Sequence, residues 1–175
     1  MKKKDILVVD GYNMIGAWPE LVKLKNRDLI EEARDRLLVI LSNYQEFEGR
    51  EVCVVFDAQF VPGITKEYTK YKVRVVFTAQ GETADTFIEG IVDKLKNVLT
   101  EVTVATSDLA EQQLVFARGA NRMSANELYK EIKRSTQAIQ LESRHFRAAS
   151  QKKRGSLTEE QLDLLKDLRD FLNEG

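Results

Sequence analysis

Hydrophobic residues along this chain form short uniform runs, separated by longer stretches in which they recur every third or fourth position. Ile6 to Val9 is the first uniform run, bounded by charge before it and by Asp10-Gly11 after it. A run of this length and composition predicts a strand buried on both faces. Val52 to Phe56, Val73 to Phe77 and Val102 to Ala105 repeat the pattern. Between the runs the period is helical. Asp28 with Glu31 three residues on makes a capping pattern, Ile30, Ala33, Leu37, Ile40, Leu41 and Tyr44 then share a face, and Gly49 closes the segment. Thr83 to Leu99 sets Phe87, Ile88, Ile91, Val92 and Leu95 on an inner side, and a helix over about residues 107–118 can end at Gly119. Strands that alternate with helices, each strand nearly uniformly apolar, predict an α/β fold whose central, mainly parallel sheet is covered on both faces.

Further along, the pattern is helical only. Ser124 and Glu127 form a second capping box and open a long helix through about Phe146. The polar stretch Gln151 to Gly155 predicts a break, after which Leu162, Leu165, Leu168, Phe171 and Leu172 mark a final amphipathic helix. The two prolines, Pro19 and Pro62, fall in expected loops after strands.

Composition narrows the chemistry. A chain of 175 residues with 43% hydrophobic content can build one core. No apolar run approaches the ~20 residues needed to span a bilayer, so no membrane role is expected. The basic start Met1 to Lys4 leads into an apolar run too short for a signal-peptide core, and a cytoplasmic location is expected. One cysteine, Cys53, rules out an internal disulfide and a cysteine-built zinc site. One histidine, His145, rules out a paired-histidine ribonuclease mechanism within the chain. Catalysis would have to rest on carboxylates.

The net charge of −1 hides an asymmetry. From Gln112 to Gly155 there are ten cations (Arg118, Arg122, Lys130, Lys133, Arg134, Arg144, Arg147, Lys152, Lys153 and Arg154) against three acids, a local excess of seven. Such a stretch can hold the phosphates of a polyanion, although a solvated helix face is the commoner origin of a charge run.

The acids are placed more tellingly. Asp10 follows the first run, Asp57 the second, and Asp108 the fourth by way of Thr106 and Ser107. In open parallel sheets the carboxyl ends of the strands form the edge where ligands bind, so these sequence-distant acids should converge. Glu82 lies just before the next helix and Asp85 in its first turn. Taken singly, each is readily a turn residue or a helix-start acid. Together they would repel one another unless a cation neutralised them, and an all-oxygen set suits Mg²⁺ or Mn²⁺. Such ions can activate water and stabilise the leaving oxygen of a phosphodiester. The Asn13 amide could orient Asp10 or serve as a loop cap; for Tyr12 and Trp18, core packing outweighs base stacking.

The motifs VVDGYNMIGAWP at 8–19, VVFDA at 54–58, GETADTFIE at 81–89 and ATSDLAEQ at 105–112 resemble, in order and spacing, the YacP-like NYN domains of the PIN-like nuclease superfamily. The resemblance spans about residues 5–150. It implies a PIN-like three-layer α/β domain over 1–150 with a helical extension over 151–175, and a Mg²⁺- or Mn²⁺-dependent endoribonuclease acting on mRNA. Asp10, Asn13, Asp57, Asp85 and Asp108 match the family's motif positions, with Glu82 beside them. Asp10, Asp85 and Asp108 are the expected metal ligands. Likeness to ribosome-associated endoribonucleases implies a ribosome partner and a role in mRNA decay. The oligomeric state is not legible, a monomer being the expectation.

Two other readings compete. A non-catalytic RNA- or ribosome-binding protein on the same fold has no use for clustered acids, because it binds a polyanion. An aspartate-nucleophile phosphatase normally needs a second acid two residues after the first, where Tyr12 stands. No Gly-x-Gly-x-x-Gly follows the first strand, which argues against dinucleotide binding.

Overall fold

The computed structural model describes residues 2–58, 71–155 and 159–173. Five strands, β1 (Lys4–Asp10), β2 (Glu51–Phe56), β3 (Arg74–Phe77), β4 (Thr100–Ala105) and β5 (Asn121–Met123), form one sheet in the order β3-β2-β1-β4-β5. Every neighbouring pair is parallel, and Val8 of β1 lies in register with Cys53 on one side and Val104 on the other. The order reverses at β1, so a crevice opens between the carboxyl ends of β1 and β4.

Side-chain alternation along each strand feeds two apolar layers. Leu7, Val9, Val52, Val54 and Phe56 face α1 (Gly11–Ile15), α2 (Pro19–Asn26), α3 (Ile30–Glu48) and the first turns of α6 (Ala125–Gly155), through residues such as Met14, Leu21, Leu37, Leu41 and Leu128. Ile6, Val8, Cys53, Val55, Val102 and Val104 face α4 (Ala84–Leu95) and α5 (Leu109–Ala117), through Ala84, Ile88, Val92 and Val115. The three-layer α/β arrangement is as the alternation of elements predicts. Cys53 is buried, and that burial pushes its thiol up to about 11, so it is inert packing. Trp18 is also core: its indole N–H donates to the Ala125 carbonyl at 2.9 Å and ties the α1–α2 segment to α6.

Several local expectations are corrected. Asp28 does not cap α3; it adopts φ 58, and Leu29 occupies the cap position without a side-chain bond. Pro19 opens a helix rather than sitting in a loop, because its fixed φ and missing N–H suit the first helical position. Helix α4 stops at Leu95, where the Asn97 side chain takes the Leu99 N–H at 2.8 Å and turns the chain into β4. The break expected at Gln151 is not present, since α6 runs to Gly155 through residues that are good helix formers. Pro62 lies outside the described residues. The Ser124–Glu127 capping box is formed, with Ser124 N–H on Glu127 at 3.0 Å and Glu127 N–H on Ser124 at 3.1 Å.

Packing divides the chain into two compact units, Met1–Thr136 and Gln137–Gly175. The first holds the sheet. The second holds the rest of α6 and α7 (Glu159–Asn173), whose leucines and Phe171 are exposed. Among the described residues no helix is long and apolar enough to cross a membrane.

Candidate metal centre

Three carboxylates meet at the β1/β4 crevice. Asp10 ends β1 and is buried; Asp85 lies in the first turn of α4 and is solvent-accessible; Glu111 lies in the first turn of α5 and is buried. Each offers an oxygen within 4.8 Å of the other two. The first turns of α4 and α5 point at the same place because both helices follow parallel strands of one sheet, and Thr83 starts α4 by accepting the Thr86 N–H at 3.2 Å. Their N-terminal dipoles favour negative charge there.

Burial dominates the electrostatics of the cluster. Burial pushes Asp10 up from 3.8 to about 6; the Asn13 side chain and backbone N–H pull it down, and the charges of Asp85 and Asp57 raise it again. Burial pushes Glu111 up from 4.5 to about 8, the Thr106 hydroxyl opposes this, and Asp10 and Asp85 add to the rise. Burial first, and the neighbouring carboxylates after it, therefore favour the protonated forms of Asp10 and Glu111. Glu111 Oε1 is buried with no hydrogen-bond donor. Its neighbour Asp85 can bond to it only when one of the two carboxyls is protonated. An all-carboxylate set with an orphaned buried oxygen fits a hard divalent cation such as Mg²⁺ or Mn²⁺. Asp10, Asp85 and Glu111 are the residues that would hold it.

Asp108 does not join them. It is exposed, and its Oδ1 accepts the backbone N–H groups of Ala110 at 2.9 Å and Glu111 at 3.4 Å, capping α5. Asp108 was expected among the metal ligands; among the described residues the carboxylate grouped with Asp10 and Asp85 is instead Glu111, which the sequence reading did not single out. An acid on the buried face of α5, four residues before the buried Val115, was the available signal. Asp57 is buried just past β2 and acts on Asp10 through its charge. Glu82 accepts the Ala79 N–H at 3.3 Å in the turn before α4 and is not among the three. Asn13 has a clear role: its side-chain Oδ1 accepts from the Ser107 N–H at 3.2 Å and from the Ser107 hydroxyl, which ties the loop after β1 to the loop after β4. The fold also accounts for Gly11, since a Cβ there would sit 2.6 Å from Cδ1 of the buried Phe56 ring. Tyr12 packs on that same ring, 5.2 Å between centroids, as a core residue.

The basic residues have different fates. Arg118 is engaged by Glu89, at 3.5 Å, and by Asp93. Arg122 lies over the Phe116 ring and Lys133 over the Tyr129 ring, at 5.2 and 4.4 Å. Lys130 and Arg134 are exposed on α6 within the first unit. Arg144, Arg147 and Lys152 are exposed in the second unit, and the side chains of Lys153 and Arg154 lie outside the described residues.

A family model described as the YacP-like NYN domain matches residues 7–170. The chain belongs to that family. YacP of Bacillus subtilis (strain 168) is 46% identical over 153 residues, covering 87% of this chain and 88% of that protein. The crystal structure of Rae1 (YacP) from Bacillus subtilis is 43% identical, covers 95% of both chains and superposes with a TM-score of 0.75. A point mutant of Rae1 gives 44% identity and a TM-score of 0.72, with 81% of this chain and 82% of that one covered. The NYN family makes this a nuclease-family protein. A nuclease-like domain implies RNA as its class of substrate, and the buried acidic cluster is compatible with a divalent metal.

Proposed function

We propose that the protein is a Mg²⁺- or Mn²⁺-dependent endoribonuclease that hydrolyses phosphodiester bonds in mRNA engaged by the ribosome. The observation that carries this reading is the triad Asp10, Asp85 and Glu111, gathered at the carboxyl edge of the sheet in a nuclease-family domain. When bound, the ion would lower the pKa of water and neutralise charge on the phosphate oxygens. Asp10 and Glu111 supply buried anionic oxygens, and Asp85 supplies one from the solvent side. Asn13 orients Asp10 and locks the two loops that carry the site. Lys130, Lys133 and Arg134 on α6 present cations for the phosphate backbone, a sequence-independent grip. The ribosome and mRNA decay rest on the likeness of the four motifs, and the cytoplasm follows from that partner.

The test is a cleavage assay on purified protein with naked and with ribosome-engaged mRNA, each with and without EDTA, beside Asp10→Asn. The expected result is a cut in the engaged arm that EDTA and the substitution both abolish. Cleavage by Asp10→Asn at the wild-type rate, or cleavage indifferent to EDTA, overturns the reading. Binding without any cut would leave the protein an RNA-binding relative of the family.

A further inference from the structure

The two oxygens of the Glu111 carboxylate have unlike surroundings. Oε2 accepts the Thr106 hydroxyl at 2.7 Å, whereas Oε1 is buried without a donor. Thr106 is itself fully buried, at the end of β4 where the chain turns towards α5. We propose that Thr106 is a positioning residue: its hydroxyl ties up Oε2 of Glu111 and so leaves Oε1 as the oxygen that ligates the cation. The proposal rests on the metal-site reading above and adds to it a residue outside the carboxylate triad.

Hydrogen-bond direction makes the argument. The backbone N–H of Asp108 donates to Thr106 Oγ1 at 3.2 Å, which fills one lone pair of the hydroxyl. A hydroxyl sealed from water must give its own proton to an acceptor, because a buried O–H without one is costly. The Glu111 Oε2 at 2.7 Å is that acceptor. The polarity therefore runs one way, from the Asp108 amide through the Thr106 hydroxyl to Glu111, and Oε2 is occupied as an acceptor. Oε1, which accepts no hydrogen bond, is then the oxygen with both lone pairs open to a proton or cation.

The hydroxyl is also held in place. The Thr106 N–H donates to the Met123 carbonyl of β5 at 3.0 Å, and its own carbonyl accepts from the Gln112 amide at 2.9 Å. Gln112 lies beside Glu111 on α5, so this clamp fixes the distance between the end of β4 and the turn that carries the ligand. Partners of this kind set the orientation of metal ligands, and their loss typically costs about 10–100-fold in metal affinity.

The test compares Mn²⁺ affinity, read from the electron paramagnetic resonance signal of free Mn²⁺, for wild type, Thr106→Val, Thr106→Ala and Thr106→Ser at one pH, with circular dichroism to establish folding. Valine keeps the shape and removes the hydroxyl, serine keeps the hydroxyl, and alanine stands in for valine should that variant not fold. The expected result is a loss of about tenfold or more for valine and alanine, with serine within about twofold of wild type. Folded valine or alanine variants that bind Mn²⁺ as tightly as wild type overturn the positioning role and leave the metal site intact. Wild-type protein that binds no Mn²⁺ overturns the metal-site reading itself.

Discussion

Replacing Glu111 by glutamine removes the charge of the third carboxylate while nearly preserving its shape, so it isolates the electrostatic strain in the metal-free site. Glutamine can still accept from the Thr106 hydroxyl, and its amide can donate to Asp10 or Asp85. In the wild type, burial and the neighbouring charges raise Glu111 from 4.5 to about 8. A carboxylate raised on folding holds more protons in the native than in the unfolded chain between those two values. Its contribution to stability is therefore fully present below about 4.5 and is lost as the pH rises towards about 8. The slope for one group is about 1.4 kcal/mol per pH unit, so the whole interval would amount to about 5 kcal/mol. The solvent-accessible side of the cluster lets water and ions screen it, which brings a realistic figure to about 2 kcal/mol. Thermal unfolding in EDTA at pH 5, 6, 7 and 8 reads this directly. At pH 8 the metal-free variant should melt about 4–8 °C above wild type, and its melting temperature should vary less with pH. Adding Mn²⁺ should raise the wild-type melting temperature and leave that of the variant nearly unchanged. Equal melting curves at pH 8 in EDTA, or equal stabilisation of both proteins by Mn²⁺, would refute the placement of Glu111 in the cluster.

Three further outcomes are expected. Asp108→Asn keeps an oxygen to cap α5, so Mn²⁺ affinity should stay within about threefold of wild type, while Asp108→Ala should cost about 1 kcal/mol of stability in urea melts; abolished Mn²⁺ binding in folded Asp108→Asn would restore Asp108 to the ligand set. Gly11→Ala forces a Cβ against the enclosed Phe56 ring and should destabilise by about 2 kcal/mol in the same melts, an unchanged midpoint counting against the close approach. Neutralising Lys130 and Arg134 together with glutamine should weaken RNA binding and flatten its dependence on salt by about one unit of log–log slope for each phosphate no longer neutralised, read by filter binding at several salt concentrations. An unaltered slope would mean that these side chains touch no phosphate.

Much of the fold was legible because burial on both faces of a parallel sheet demands strands with apolar centres, and β1, β2 and β4 show buried apolar runs while β3 keeps three apolar residues after the exposed Arg74. β5 escaped notice: Asn121–Met123 is three residues with little hydrophobic signal, and its place at the sheet edge comes from pairing with β4. The capping box at Ser124 was legible because both of its bonds are local. The Asp28 pattern has similar spacing, yet the turn after α2 holds that residue at positive φ instead.

The candidate site divides along the same line. Asp10 and Asp85 were visible because an acid at a strand's carboxyl end, or in a helix's first turn, is placed by the element it belongs to. Asp108 satisfies the same rule and caps α5 with one oxygen, and the sequence cannot say whether such an acid faces a cation or its own helix's amides. Glu111 is the converse case: as a sequence feature it is an acid in the first turn of a helix, which solvent or the helix dipole explains. Only the packing of α5 against the sheet turns it inward, beside Asp10 and Asp85 and beneath the Thr106 hydroxyl. Local pattern thus determined the elements and which edge of the sheet holds the acids. The choice of carboxylates that share one space depended on helix rotation, which is set by packing between residues far apart in the chain.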